Sequence, residues 1–235
     1  MLGQDLAKEL LPLILQPGEF RLKYHEKYPN APLSPFKVVF DTPPLTERHI
    51  ERLGGLLQDL DFRLGNLPFQ AVVGVPQGAQ ALARDFARSS HPLLWLDKMT
   101  WRGKKRIYTG DQFYRSLGEL TLKPPKDEVA VLVIEDTVTE ANNTVEAIVA
   151  LRSCRSPRLR VRHVLAVVDR EQGGRERLAR IGVDLHAVWK VFSDLLPLGE
   201  QEGIRPIDYE AARIYLGAWW RMPKIARAVA SKGRT

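Results

Sequence analysis

Glu135 and Asp136 place two carboxylates side by side, and the residues after them, Thr137-Val138-Thr139-Glu140-Ala141-Asn142-Asn143-Thr144, are rich in hydroxyls and amides. Adjacent carboxylates can accept hydrogen bonds from the vicinal hydroxyls of a sugar, or hold Mg2+ through water. Thr and Asn side chains at a helix start, together with its free backbone amides, suit a phosphate. Asp136 or Thr139 can equally do no more than cap that helix. A second cluster is Gly74-Val75-Pro76-Gln77-Gly78-Ala79. Its glycines admit positive φ and a close approach of backbone to ligand, so an oxyanion can lie against the amides beyond them. Such turns are also common with no ligand. A third cluster, Asp169-Arg170-Glu171-Gln172-Gly173-Gly174, offers a guanidinium that can meet a carboxylate, in a ligand or in an ordinary surface salt bridge.

Each cluster closes a short apolar run. Ala71 to Val75, Val129 to Ile134 and Val161 to Val168 are continuous and rich in β-branched residues. Helical patterns follow them, at Ala79 to Ala87, through Val145 to Leu151 and around Glu176 to Ile181, and a last apolar segment spans Leu185 to Phe192. Unbroken β-branched strands alternating with helices predict an α/β fold whose parallel sheet is buried on both faces. Ligands of such sheets sit beyond the carboxyl ends of the strands, where the three clusters stand. Upstream, Leu2, Leu6, Leu10, Leu11 and Ile14 predict an amphipathic helix over residues 1–15, stopped by Pro17 and Gly18. Phe20 with Leu22, and Phe36 with Val38 and Phe40, predict two short strands, and Thr46 to Leu60 a capped helix. Leu96 to Asp127 is basic and turn-rich and shows no core periodicity. Tyr209 to Ala230 reads as a terminal helix carrying Trp219 and Trp220, ahead of a basic tail.

Ile134-Glu135-Asp136-Thr137-Val138-Thr139, with its polar turn and helix, resembles the phosphoribosyl-diphosphate (PRPP) motif of type I phosphoribosyltransferases. Val167 to Gly174 is similar to the D-R-x-x-G-G segment of orotate phosphoribosyltransferases. Phe20-Arg21-Leu22-Lys23 and Ser34-Pro35-Phe36 are similar to that family's F-x-L-K and S-P-aromatic segments. The pieces occur in family order across residues 6–196. The resemblance implies a parallel-sheet type I phosphoribosyltransferase fold over residues 1–200, with an amino-terminal hood in residues 1–45 and a helical extension over 201–235. It implies transfer of ribose 5-phosphate from PRPP to orotate or a related base, with release of pyrophosphate. Mg2+ would act through PRPP and water, without direct protein ligands. Glu135 and Asp136 would hold the ribose hydroxyls, Thr139 to Thr144 the 5-phosphate, with Thr137 beside it, and Gly74 to Ala79 the pyrophosphate. Lys23, Phe36 and Arg170 would contact the base. A homodimer is implied, because the family's mobile loop works in the neighbouring subunit's site.

Two departures stand against that pattern. After the motif threonine the family reads x-G-[ST]-[ST], whereas this chain reads Glu140-Ala141-Asn142-Asn143. A like charge about 4 Å from a phosphate costs on the order of 4 kcal/mol at an effective dielectric of 20, before screening. In the mobile loop the family's two lysine positions are occupied by Asp97 and Thr100. Basic residues stand instead at Lys98, Arg102, Lys104, Lys105 and Arg106, and we expect Lys98, Arg102, Lys104 and Lys105 to serve catalysis from a shifted register. The competing reading is a catalytically silent homologue that binds nucleotide or nucleic acid through this loop and the basic tail.

Composition agrees with a folded binder of anions: 235 residues, 44% apolar, 35 Lys and Arg against 28 Asp and Glu, and a net charge of +7. The single cysteine, Cys154, excludes an intrachain disulfide and fits a reducing compartment. No apolar run approaches bilayer length, so we expect a soluble cytoplasmic protein without membrane contact. His25, His49, His91, His163 and His186 are scattered, with no metal-ligand spacing. Trp219 and Trp220, beside Arg221 and Lys224, read as packing or a dimer contact more readily than as base-stacking residues.

Overall fold

The β-branched runs form a parallel sheet. In this computed structural model the described residues are 2–16, 37–38, 47–88, 90–101, 104–121, 128–155 and 157–203. Helix α1 (Gln4–Ile14) leads into β1 (Leu15–Gln16), which pairs antiparallel with β2 (Lys37–Val38). Helix α2 (Glu47–Arg63) precedes β3 (Ala71–Gly74), α3 (Gln80–Ala87) and β4 (Leu93–Leu94). A hairpin of β5 (Asp97–Trp101) and β6 (Lys104–Tyr108) is followed by α4 (Asp111–Thr121). Then come β7 (Glu128–Val138), α5 (Asn142–Arg152), β8 (Arg158–Asp169), α6 (Gly174–Ala179) and β9 (Asp184–Lys190), a π-helical turn (Val191–Leu195) and α7 (Leu196–Gln201).

The central sheet has the order β4-β3-β7-β8-β9, every neighbour parallel. From β3 the chain crosses outward to β4, then returns to lay β7 on the other side of β3. That reversal opens a crevice beyond the carboxyl ends of β3 and β7, where open α/β sheets take ligands. One face of the sheet packs on α1, α2, α3 and the π-helical turn, through Leu10, Leu53, Leu57, Leu82, Ile134 and Trp189. The other packs on the hairpin, α4, α5 and α6, through Ile107, Phe113, Val133, Ile148, Val164 and Leu178. The Trp189 indole donates to the Leu2 carbonyl at 2.8 Å, joining the start of α1 to the last strand.

Three expectations need correction. Residues 96–127 do have a core pattern over their described part: Leu96, Ile107, Phe113 and Leu117 are buried, in a hairpin and a helix rather than an open loop. Phe113 and Leu117 are four apart, a helical spacing that the polar and charged residues around them obscured. Strand β7 does not end at Ile134 but pairs with β8 as far as Val138 opposite Asp169, so Glu135, Asp136 and Thr137 are strand residues. Pairing outlasts the apolar run because backbone, not side-chain type, carries the ladder. His163 and His186 are not scattered: the β8–β9 pairing brings their ring nitrogens to 3.4 Å, and burial, then the neighbouring ring, lowers the His186 pKa. The expected strand at Phe20 and Leu22, most of the hood and the helix from Tyr209 lie outside the described residues.

Candidate active site

The first strand end is a tight turn. A Cβ on Gly74 would lie 2.5 Å from the Ala79 carbonyl oxygen, so only glycine lets the chain double back into α3. Val75 donates its amide to the Ile134 carbonyl at 3.0 Å, which carries the turn along the edge of β7. Val75 and Ala79 are buried, whereas Gln77 is exposed and Gly78 half-buried, so the turn presents its middle to the crevice. There it meets the acidic pair: a Cβ on Gly78 would stand 2.1 Å from Asp136 Oδ2.

Successive strand residues point to opposite faces, yet the side chains of Glu135 and Asp136 stay within hydrogen-bonding reach of one another. Asp136 faces Gly78 and accepts the Thr137 amide at 2.6 Å. Glu135 turns toward α5, is buried, and accepts a hydrogen bond at 2.9 Å from the equally buried Thr144 hydroxyl. Burial, then the charge of Asp136, pushes the Glu135 carboxyl well above its ordinary pKa. Glu135 and Thr144, expected on the ribose and the 5-phosphate, thus engage one another. The Thr137 hydroxyl oxygen is buried without a hydrogen-bond partner among the described residues.

Beyond Val138 the chain turns through Thr139 and Glu140 into α5. Ala141 occupies the turn at φ 55°, in the left-handed region, and is buried. Asn142 and Asn143 are exposed in the first turn of the helix. The Asn142 amide donates to Glu140 Oε2 at 3.4 Å.

The third strand end is packed against the second. Arg170 donates its amide to the Val138 carbonyl at 2.9 Å, and a Cβ on Gly174 would lie 2.6 Å from the Thr139 carbonyl oxygen. Buried Asp169 accepts the Glu171 amide at 2.8 Å and lies 3.4 Å from the Arg175 guanidinium; burial nevertheless raises its pKa. Glu171, at φ 54°, has its carboxylate held by the amides of Phe192 and Ser193 and by the Ser193 hydroxyl, at 2.7 to 2.9 Å. Arg177 of α6 reaches back to the second turn, donating to Asn142 Oδ1 and, at 3.4 Å, to the Glu140 carbonyl. Arg177 was missed in the sequence, where its only signal is helical: it stands three and four residues after Gly174 and Gly173, on their side of α6.

Lys98 lies on β5 opposite Ile107, and Lys104 and Lys105 lie on β6. The hairpin that carries them is fastened to α5 by Arg106 and Glu146 at 3.2 Å. Arg102, Lys23 and Phe36 are outside the described residues. Among the described residues no group of three or more His, Cys, Asp or Glu could hold a metal, and no helix is long and apolar enough to cross a membrane.

No family model matches the chain. It is 43% identical to the orotate phosphoribosyltransferase of Aquifex aeolicus over 72 residues, 31% of this chain and 36% of that relative, so it spans little more than a third of that relative's length. With the orotate phosphoribosyltransferase of Natronomonas pharaonis it shares 31% identity over 185 residues, covering 76% of this chain and 88% of the relative. The chain belongs to the orotate phosphoribosyltransferase family. The UMP synthase of Leishmania donovani shares the fold, with a TM-score of 0.66 at 24% identity over 93% of this chain and 43% of that protein. Ala141 adopts a left-handed conformation that glycine would take at no steric cost.

Proposed function

We propose that the protein transfers ribose 5-phosphate from PRPP to a ring nitrogen of orotate or a closely related base. The C1–oxygen bond to pyrophosphate breaks, a C1–nitrogen bond forms, pyrophosphate departs with the electron pair, and the ring nitrogen's proton is released. The transition state is oxocarbenium-like, so catalysis consists of holding the ribose and stabilising the departing charge. The observation that carries this reading is the approach of the Gly78 backbone to Asp136 at the sheet's reversal point. It sets a loop with the backbone freedom to cradle a diphosphate beside a carboxylate able to accept a sugar hydroxyl.

Asp136 would accept a ribose hydroxyl, and its charge would favour the cationic ring. Glu135, through Thr144, would set the start of α5, whose amides face the 5-phosphate. Arg170, tied to Val138 at the lip of that turn, would meet the base's carboxylate. Mg2+ would arrive on PRPP and keep its waters, from which Asp136 can accept hydrogen bonds. That ion would neutralise pyrophosphate charge.

The test is to incubate the protein with PRPP, Mg2+ and a panel of bases and follow pyrophosphate release. Turnover with orotate, lost in Asp136→Asn, is the expected result. Silence across the panel, with salt-sensitive binding of oligonucleotide, would replace this reading with that of a nucleic-acid-binding homologue.

A further inference from the structure

Glu140 sets a carboxylate in a turn proposed to receive a phosphate dianion, and a chain that binds PRPP must offset that charge. Three contacts do so in series. Arg177 donates to Asn142 Oδ1, which fixes the amide's orientation and leaves its NH2 to donate to Glu140 Oε2 at 3.4 Å. Arg177 also donates to the Glu140 carbonyl at 3.4 Å, so one guanidinium holds both the backbone of the turn and the side chain that restrains the carboxylate. The arrangement is built from the fold. Gly174, with no room for a Cβ against Thr139, lets α6 press on the turn. A salt bridge confined to one helix would not reach it, since 35 residues separate Arg177 from Asn142.

We infer that Arg177 is a positioning residue for ribose-phosphate recognition. It ties Asn142, and through it the Glu140 carboxylate, to α6, and adds a positive charge to a turn that otherwise carries a negative one. This rests on the phosphoribosyltransferase reading above and deepens it. In this chain the positive charge complementing the 5-phosphate comes from the helix after the third strand, and the turn itself contributes the amides.

The test measures binding of ribose 5-phosphate and, separately, of pyrophosphate with Mg2+, by titration calorimetry on the full chain. Arg177→Ala should weaken ribose 5-phosphate by about tenfold, the size of one partly screened charge, and leave pyrophosphate unchanged. Arg177→Lys, which keeps the charge without the fork, should recover part of the loss. Adding Glu140→Gln to Arg177→Ala should recover most of it, because the charge that Arg177 offsets is gone. If Arg177→Ala binds ribose 5-phosphate as tightly as the parent, the inference is wrong and the phosphoribosyltransferase reading stands. Equal loss of both ligands, or no recovery on adding Glu140→Gln, would reduce Arg177 to a structural strut and also overturn it. If the parent protein binds neither PRPP nor ribose 5-phosphate, the underlying reading fails and takes the inference with it.

Discussion

At the scale of single residues, the two carboxylates of the acidic pair have different surroundings and should respond differently to substitution. Asp136→Asn keeps shape and removes charge, and should lower pyrophosphate release by about 100-fold or more with little change in Tm, as a lost transition-state charge contact does. Glu135 is buried, and its folded pKa is raised, so in the folded protein it holds its proton more tightly than when unfolded. The folded state therefore loses stability as pH rises above the ordinary glutamate value of 4.5, until the raised folded pKa is passed. Glu135→Gln removes that loss. Its Tm should exceed the parent's at pH 8, with the difference shrinking toward pH 4.5; a constant difference across that range would contradict a titration origin. Ala141, in the left-handed region, should gain about 1 kcal/mol on replacement by glycine, measured by chemical denaturation. Adjacency of Glu135 and Asp136 was plain in the sequence. Their place within a strand was not, because it depended on β7 continuing past Ile134.

At the scale of elements, the strand ends are held together by glycines that admit no side chain. Gly78→Ala would drive a Cβ into Asp136 Oδ2, displacing the carboxylate. It should raise KM for PRPP by about tenfold or more while Tm falls little, since Gly78 is only half-buried and the turn can shift. Gly174→Ala meets the Thr139 carbonyl oxygen and a Val138 methyl in the sheet-side packing, where neither can yield cheaply. It should lower stability by about 1 to 3 kcal/mol in denaturant unfolding. Both glycines were visible as turn residues. Which partner each had to clear was not, because Gly78 and Asp136 meet only across the β3–β7 pairing. Conversely, the hairpin and α4 escaped the sequence reading because charged residues outnumber the few buried anchors, Ile107, Phe113 and Leu117.

At the scale of the whole molecule, the proposed site draws on three strand ends, and the basic hairpin stands on α5 at the edge of that assembly. If the hairpin serves a neighbouring copy, two inactive proteins should complement one another. Asp136→Asn mixed with a variant carrying alanine at Lys98, Lys104 and Lys105 should regain pyrophosphate release after subunit exchange, whereas neither releases it alone. No recovery would confine each hairpin to its own chain. The α/β class, the parallel sheet and the three turns could be read directly from the chain, because hydrophobic periodicity and turn chemistry are local properties, expressed within a few consecutive residues. Strand order, the place of Glu135 and Asp136 within β7, the meeting of His163 with His186 and the reach of Arg177 to Asn142 were decided only by tertiary structure. Each depends on which distant strands pair and in what register, and that follows from burying both sheet faces at once.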